Sequence, residues 1–132
     1  MDCGTTPTDR ELGILKILWE RGEATVREVY EEMSRELPIV QNTVQAFLRT
    51  MEEKHLVAHR VEGRSFVYRP LVARDATARR LVSGLLDRVF DGATDQLVQS
   101  LLSAEQPSAE ELAKIEKMIV AAKSPARKKS KQ

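Results

Sequence analysis

The sequence predicts a mainly α-helical chain with one short β hairpin. Three observations carry that expectation. Aromatic residues make up only 5% of the 132 residues and charged residues 31%, rich in Glu, Arg and Lys, which favours helices over a sandwich or barrel. Capping signatures of the form Ser/Thr-x-x-Glu recur just ahead of apolar runs at helical spacing. A single β-prone pair of segments interrupts the helical pattern.

Thr8 and Glu11 form the first cap, and Leu12, Leu15, Leu18 and Trp19 follow at helical spacing as far as Gly22, predicting helix one. Thr25 and Glu28 repeat the signature. Val26, Val29, Tyr30, Met33 and Leu37 then mark helix two, running up to Pro38. From about Gln41 to Lys54, Val44, Phe47, Leu48 and Met51 share one stripe of helix three, leaving Asn42, Thr43, Gln45, Ala46, Arg49 and Thr50 on the others. The period changes after Leu56. Residues 57–61 and 65–69 read as two strands around Glu62, Gly63 and Arg64, with Gly63 free to take positive φ, and the hairpin ends at Pro70.

Three helices followed by a hairpin is the order of a winged helix-turn-helix, whose third helix enters the major groove while the hairpin, or wing, lies along the flanking backbone. Residues 8–70 are therefore expected to be a DNA-binding domain. Three more amphipathic stretches follow within residues 71–122. Ala78, Leu81, Val82, Leu85 and Val89 form the first, Leu97, Val98, Leu101 and Leu102 the second, and Leu112, Ile115 and Ile119 the third, behind a cap at Ser108 and Glu111. So small a segment buries too little apolar surface alone, so Leu81, Leu85, Val89, Leu97, Leu101, Leu112, Ile115 and Ile119 are expected to pack against a second copy. The fold class is thus a winged helix-turn-helix followed by a three-helix dimerisation domain, between a tail of residues 1–7 and a basic, disordered tail of residues 123–132.

The net charge of +1 hides an uneven distribution. Five cations and no acid lie in residues 123–132, so residues 1–122 stand five charges lower, at −4. Within them, residues 38–70 carry Arg49, Lys54, Arg60, Arg64 and Arg69 against Glu52, Glu53 and Glu62, a local +2 compatible with a polyanion. Apolar runs such as Ile17, Leu18 and Trp19 fall far short of the roughly 20 residues that span a bilayer, and no charged segment followed by an apolar one opens the chain. A cytoplasmic protein without membrane insertion is expected. The one cysteine, Cys3, excludes an intrachain disulfide and a cysteine metal cluster, and is expected to be inert.

Catalysis is not expected, and neither is a cofactor. The sequence has no phosphate-binding loop, dinucleotide fingerprint, His-Glu zinc helix or Cys-His nucleophile pair. His55 and His59 have ligand spacing for a helix but straddle the end of helix three and the start of the hairpin, so no metal site is expected. Trp19 and Tyr30 lie on apolar stripes and belong to the core. Helix three has suitable chemistry for DNA. Gln45 can pair bidentately with adenine, Thr43 can meet a phosphate or a thymine methyl, Asn42 can do either polar task, and Arg49 and Arg64 can contact phosphates.

The run from Thr43 and Val44 through Leu48 to Lys54, with Glu62, Gly63, Arg64, Ser65, Phe66, Val67, Tyr68, Arg69 and Pro70 after it, resembles the winged-helix domain of the BlaI/MecI (penicillinase repressor) family of bacterial transcriptional repressors. The resemblance extends over about residues 8–120 and includes Leu18 and Trp19 and the Ser-capped last helix. It implies a homodimer with interlocked C-terminal helices. Such a dimer binds double-stranded palindromic operator DNA and represses resistance genes, with Asn42, Thr43 and Gln45 at the groove and Arg64 and Ser65 near phosphates. It also implies release by a membrane sensor protease system that cuts within the dimerisation segment. The family's Asn-Phe bond aligns with Ser100 and Leu101, and His55 stands where most relatives have glycine. Two alternatives stay open from the residues alone: a winged-helix module that binds protein, and a ligand- or metal-sensing regulator using His55 and His59.

Overall fold

In the computed structural model, residues 6–124 are described. Their elements run α1 (Asp9–Arg21), β1 (Ala24–Thr25), α2 (Val26–Met33), α3 (Gln41–Glu53), β2 (Val57–Glu62), β3 (Ser65–Pro70), α4 (Arg74–Phe90), α5 (Thr94–Glu105) and α6 (Ala109–Ala122). Cys3, most of the expected N-terminal tail and all but two residues of the basic tail lie outside the described residues. No helix among those described is long and apolar enough to cross a membrane. The chain divides into two compact units, Met1–Gly84 and Leu85–Gln132, at a boundary inside α4.

All three expected capping boxes form. The hydroxyls of Thr8, Thr25 and Ser108 accept from the amides of Glu11, Glu28 and Glu111, and those carboxylates accept from the cap amides in return. The core of the first unit is built from Ile14, Leu15 and Leu18 of α1, Val29 and Met33 of α2, Val44, Leu48 and Met51 of α3, and Leu56, Val57 and Tyr68 around the hairpin. Each large apolar side chain buried here contributes roughly 1.5–3 kcal/mol. Trp19 and Tyr30 pack against this core as expected, and the Trp19 indole N–H also donates to the carbonyl of Val72 at 2.8 Å, tying α1 to the chain beyond the hairpin.

Two local expectations need correction. Helix two does not reach Leu37. It stops at Met33, and the amides of Arg35 and Glu36 bond three residues back, to Glu32 and Met33. Pro38 has no amide to offer Ser34, clashes with its carbonyl in a continuous helix, and disfavours helical geometry at Leu37. Leu37 nevertheless packs against the core. The hairpin also gains a third strand. β1 pairs antiparallel with β3, Ala24 opposite Tyr68 and Thr25 opposite Val67, giving the order β1-β3-β2.

Leaving α3, the chain makes the hydrogen bonds of a Schellman motif, from the amide of Leu56 to Met51 and from that of His55 to Glu52, with Leu56 and Met51 both buried. His55 sits at φ 67°, so the β-carbon expected to strain this turn occupies the left-handed region. His55→Gly is expected to stabilise the protein by roughly 0.5–1 kcal/mol, since relief of that strain outweighs the greater freedom of glycine in the unfolded chain. Urea denaturation measures it, and an unchanged or lower midpoint contradicts it.

In the second unit α5 and α6 contain no buried residue. Val98, Leu102, Leu112, Ile115 and Ile119 line a groove of about 360 Å³ between the two helices.

Candidate nucleic-acid interface

Helix α3 presents two unlike faces. Val44, Leu48 and Met51 are fully buried, which anchors the helix and turns Asn42, Thr43, Ala46, Arg49 and Thr50 outward. No acid occurs in residues 39–51, so the outward face carries no negative charge from Gln41 to Thr50, ahead of the exposed Glu53 at the end of the helix. Unlike α1, α2 and α6, α3 has no side-chain cap at its N-terminus, where Val40 stands.

Gln45 differs from its neighbours on that helix. It is half-buried and faces a groove of about 490 Å³ formed where the starts of α2 and α3 meet the wing. Arg64 and Ser65 line the same groove, so three of the six residues expected at DNA come together there. Asn42, Thr43 and Arg49 lie on the exposed surface of α3 outside it. The groove also recruits Arg27 and Gln41, which sequence reasoning passed over. Arg27 pairs with Glu31 at 3.2 Å in an exposed i,i+4 contact, a kind that contributes little and exchanges partners readily. Its position at the start of an amphipathic helix gave no signal, because the groove is assembled from three segments distant in sequence.

The wing turns through Gly63 and Arg64, with Gly63 at φ 63° and Arg64 not at positive φ, the pattern of a type II′ turn. Its cations are not equivalent. Arg60 donates to both oxygens of Glu23 at 2.6 and 3.1 Å and to Glu62 at 3.3 Å, and the first of these bonds holds the Glu23 carboxyl below its usual pKa. Lys54 is bound to Glu11. Of the five cations in residues 38–70, Arg49, Arg64 and Arg69 therefore have no carboxylate partner among the described residues.

His59 is turned toward α3. Its Nδ1 lies 2.8 and 2.9 Å from the Glu52 carboxylate oxygens, while His55 is exposed at the end of α3. Burial pushes the Tyr68 phenol up, the negative charge of Glu52 adds to the shift, and Arg49 opposes it.

Of the residues expected in a dimer, Leu85, Val89, Leu101, Leu112 and Ile119 are exposed by 40–61%, and Leu81, Leu97 and Ile115 are half-buried. Leu112, Ile115 and Ile119 share the groove between α5 and α6. Ser100 and Leu101 are exposed in the middle of α5.

The sequence profile of a family described as "Penicillinase repressor" matches residues 7–121. A curated penicillinase repressor of Bacillus licheniformis is 29% identical over 105 residues, which cover 80% of this chain and 82% of that protein. Among solved structures, the DNA-binding domain of the repressor BlaI is similar at 30% identity over 53% of this chain and 85% of its own, with a TM-score of 0.49. A structure described as the CopR repressor is 36% identical over 51% of this chain and 97% of its own, with a TM-score of 0.45.

Proposed function

Because the chain belongs to the penicillinase repressor family, a family of transcriptional repressors and not of enzymes, we propose that it is a homodimer whose two winged helices bind a palindromic operator and block transcription of resistance-type genes. The single observation that carries this reading is the outer face of α3, free of acid from Gln41 to Thr50, set beside a groove lined by Arg27 and Arg64. Asn42, Thr43 and Gln45 read base edges, while Arg49, Arg64 and Ser65 contact the backbone. The uncapped start of α3 leaves its first amides able to face a phosphate. Two such heads, roughly 34–36 Å apart, reach successive major grooves, so the operator shares the two-fold symmetry of the dimer.

The apolar stripes of α4, α5 and α6 support self-association, since on one chain they leave Leu85, Val89, Leu101 and Ile119 facing water. Release follows from a cut at or near Ser100 and Leu101 by a protease under the control of a membrane sensor. Cutting there removes α6 and the end of α5, and the separated heads then bind DNA too weakly to repress. The protein works in the cytoplasm, where its operator lies.

Mobility shifts with the chain's own upstream DNA, at several salt concentrations, test the reading; affinity equal to that for random duplex rejects it. Gln45→Ala is expected to lose about 1–3 kcal/mol of discrimination at one base pair, whereas Arg64→Ala weakens all duplexes alike and lowers the salt slope by about one. An unaltered base preference in Gln45→Ala removes that residue from the reading surface.

A further inference from the structure

The outer half of the wing has little to hold it. Val61, Glu62, Gly63, Arg64, Ser65 and Phe66 are all exposed, and β1 reaches β3 only at Val67 and Tyr68. A two-stranded hairpin in water is marginal by itself, so its orientation depends on what anchors its faces. One face carries the Arg60–Glu23 pair, in which both side chains are nearly half exposed. The other face carries a cluster with more contacts.

His59 stands directly opposite Tyr68 in the β2–β3 register, and Phe66 lies two residues before Tyr68 on the same face. The His59 ring stacks on Phe66 with centroids 4.2 Å apart and an interplanar angle of 17°, and it meets Tyr68 at 5.3 Å. Its Nδ1 reaches both carboxylate oxygens of Glu52 on α3. An ionised carboxylate only accepts, so Nδ1 carries the hydrogen and donates it. His59 therefore touches the wing with its ring face and α3 with its ring edge. Phe66 in turn lines the groove beside Arg64 and Ser65.

We propose that His59 is a positioning residue that locks the wing to the DNA-reading helix, its Nδ1–H on Glu52 and its ring on Phe66, so that Arg64 and Ser65 reach the backbone in register with α3. The inference rests on the DNA-binding reading, deepens it, and assigns His59 no contact with DNA.

Hydrogen exchange on the DNA-free full chain, and salt-dependent operator binding, separate the two claims. His59→Ala is expected to speed exchange of the residue 61–66 amides at least about tenfold without changing the α1 and α2 amides. It is also expected to lower the salt slope by about one to two, with operator affinity falling on the order of tenfold. His59→Phe keeps the stack but loses the carboxylate bond, and falls between. If His59→Ala folds poorly, Glu52→Ala removes the same bond from the α3 side and is expected to show both effects. Wild-type exchange in the wing, or a changed wing with wild-type salt slope and affinity, overturns the proposal. If the wild-type chain itself does not distinguish its operator from random duplex, the DNA reading fails and the exchange result alone decides whether the lock exists.

Discussion

Lys54→Met is expected to lower the unfolding free energy by roughly 2–3 kcal/mol. The Glu11 side chain is 3% exposed, and both its oxygens accept from the Lys54 ammonium, at 2.9 and 3.0 Å. One of them also accepts from the Thr8 amide at 3.0 Å, so a single carboxylate closes the cap of α1 and grips the residue that ends α3. Removing the lysine leaves a buried charge with one backbone donor. Breaking a fully buried pair costs about 3–5 kcal/mol, and the lower figure here reflects the 30% exposure of Lys54, which admits water to the carboxylate. Glu11→Gln with Lys54→Met is expected to recover much of the loss, because the neutral amide still serves the cap and no charge is stranded. Equilibrium denaturation measures both. A Lys54→Met loss under about 0.5 kcal/mol, or a double variant no more stable than the single one, removes the pair from the account of stability.

That pair also marks where the sequence stops being readable. The three capping boxes are legible because each is complete within four residues, and the buried stripe of Val44, Leu48 and Met51 because helical periodicity needs no knowledge of what covers it. The outward set on α3 follows from the same period. Glu11 reads as a cap residue and nothing in its neighbourhood announces Lys54, 43 positions on. Trp19 reads as core, but its bond to Val72 spans 53 positions. β1 escapes because two residues have no period and Thr25 already has an evident task as a cap. Glu52 and His59 are closer in sequence, yet their meeting depends on how far the chain bends through the left-handed His55 between them. Periodicity reports which side of an element is buried; what meets what across a groove is fixed only when the segments pack. The place of Gln45, Arg27 and Arg64 around one groove is information of that second kind.

Leu101→Asp combined with Ile119→Asp is expected to convert the proposed dimer to single chains and to reduce operator affinity by about 100-fold or more. The two side chains are 54% and 49% exposed on one chain and lie in helices with no buried residue of their own, so a copy that covers them gains the burial these helices lack. A carboxylate placed in such an interface must be desolvated without a partner, at a cost of several kcal/mol that association through apolar surface cannot offset. The DNA-binding unit keeps its own core, from Ile14 to Tyr68, so the fluorescence of Trp19 should be unchanged while the sedimentation mass halves. The loss of affinity then reports lost bivalency: with two joined heads the second half-site is met at an effective concentration in the millimolar range, and with separate heads it is not. Two outcomes contradict this. A wild-type chain that sediments as one copy at micromolar concentration removes the dimer, and a variant that is monomeric yet binds the full operator as tightly as the wild type shows that one head suffices.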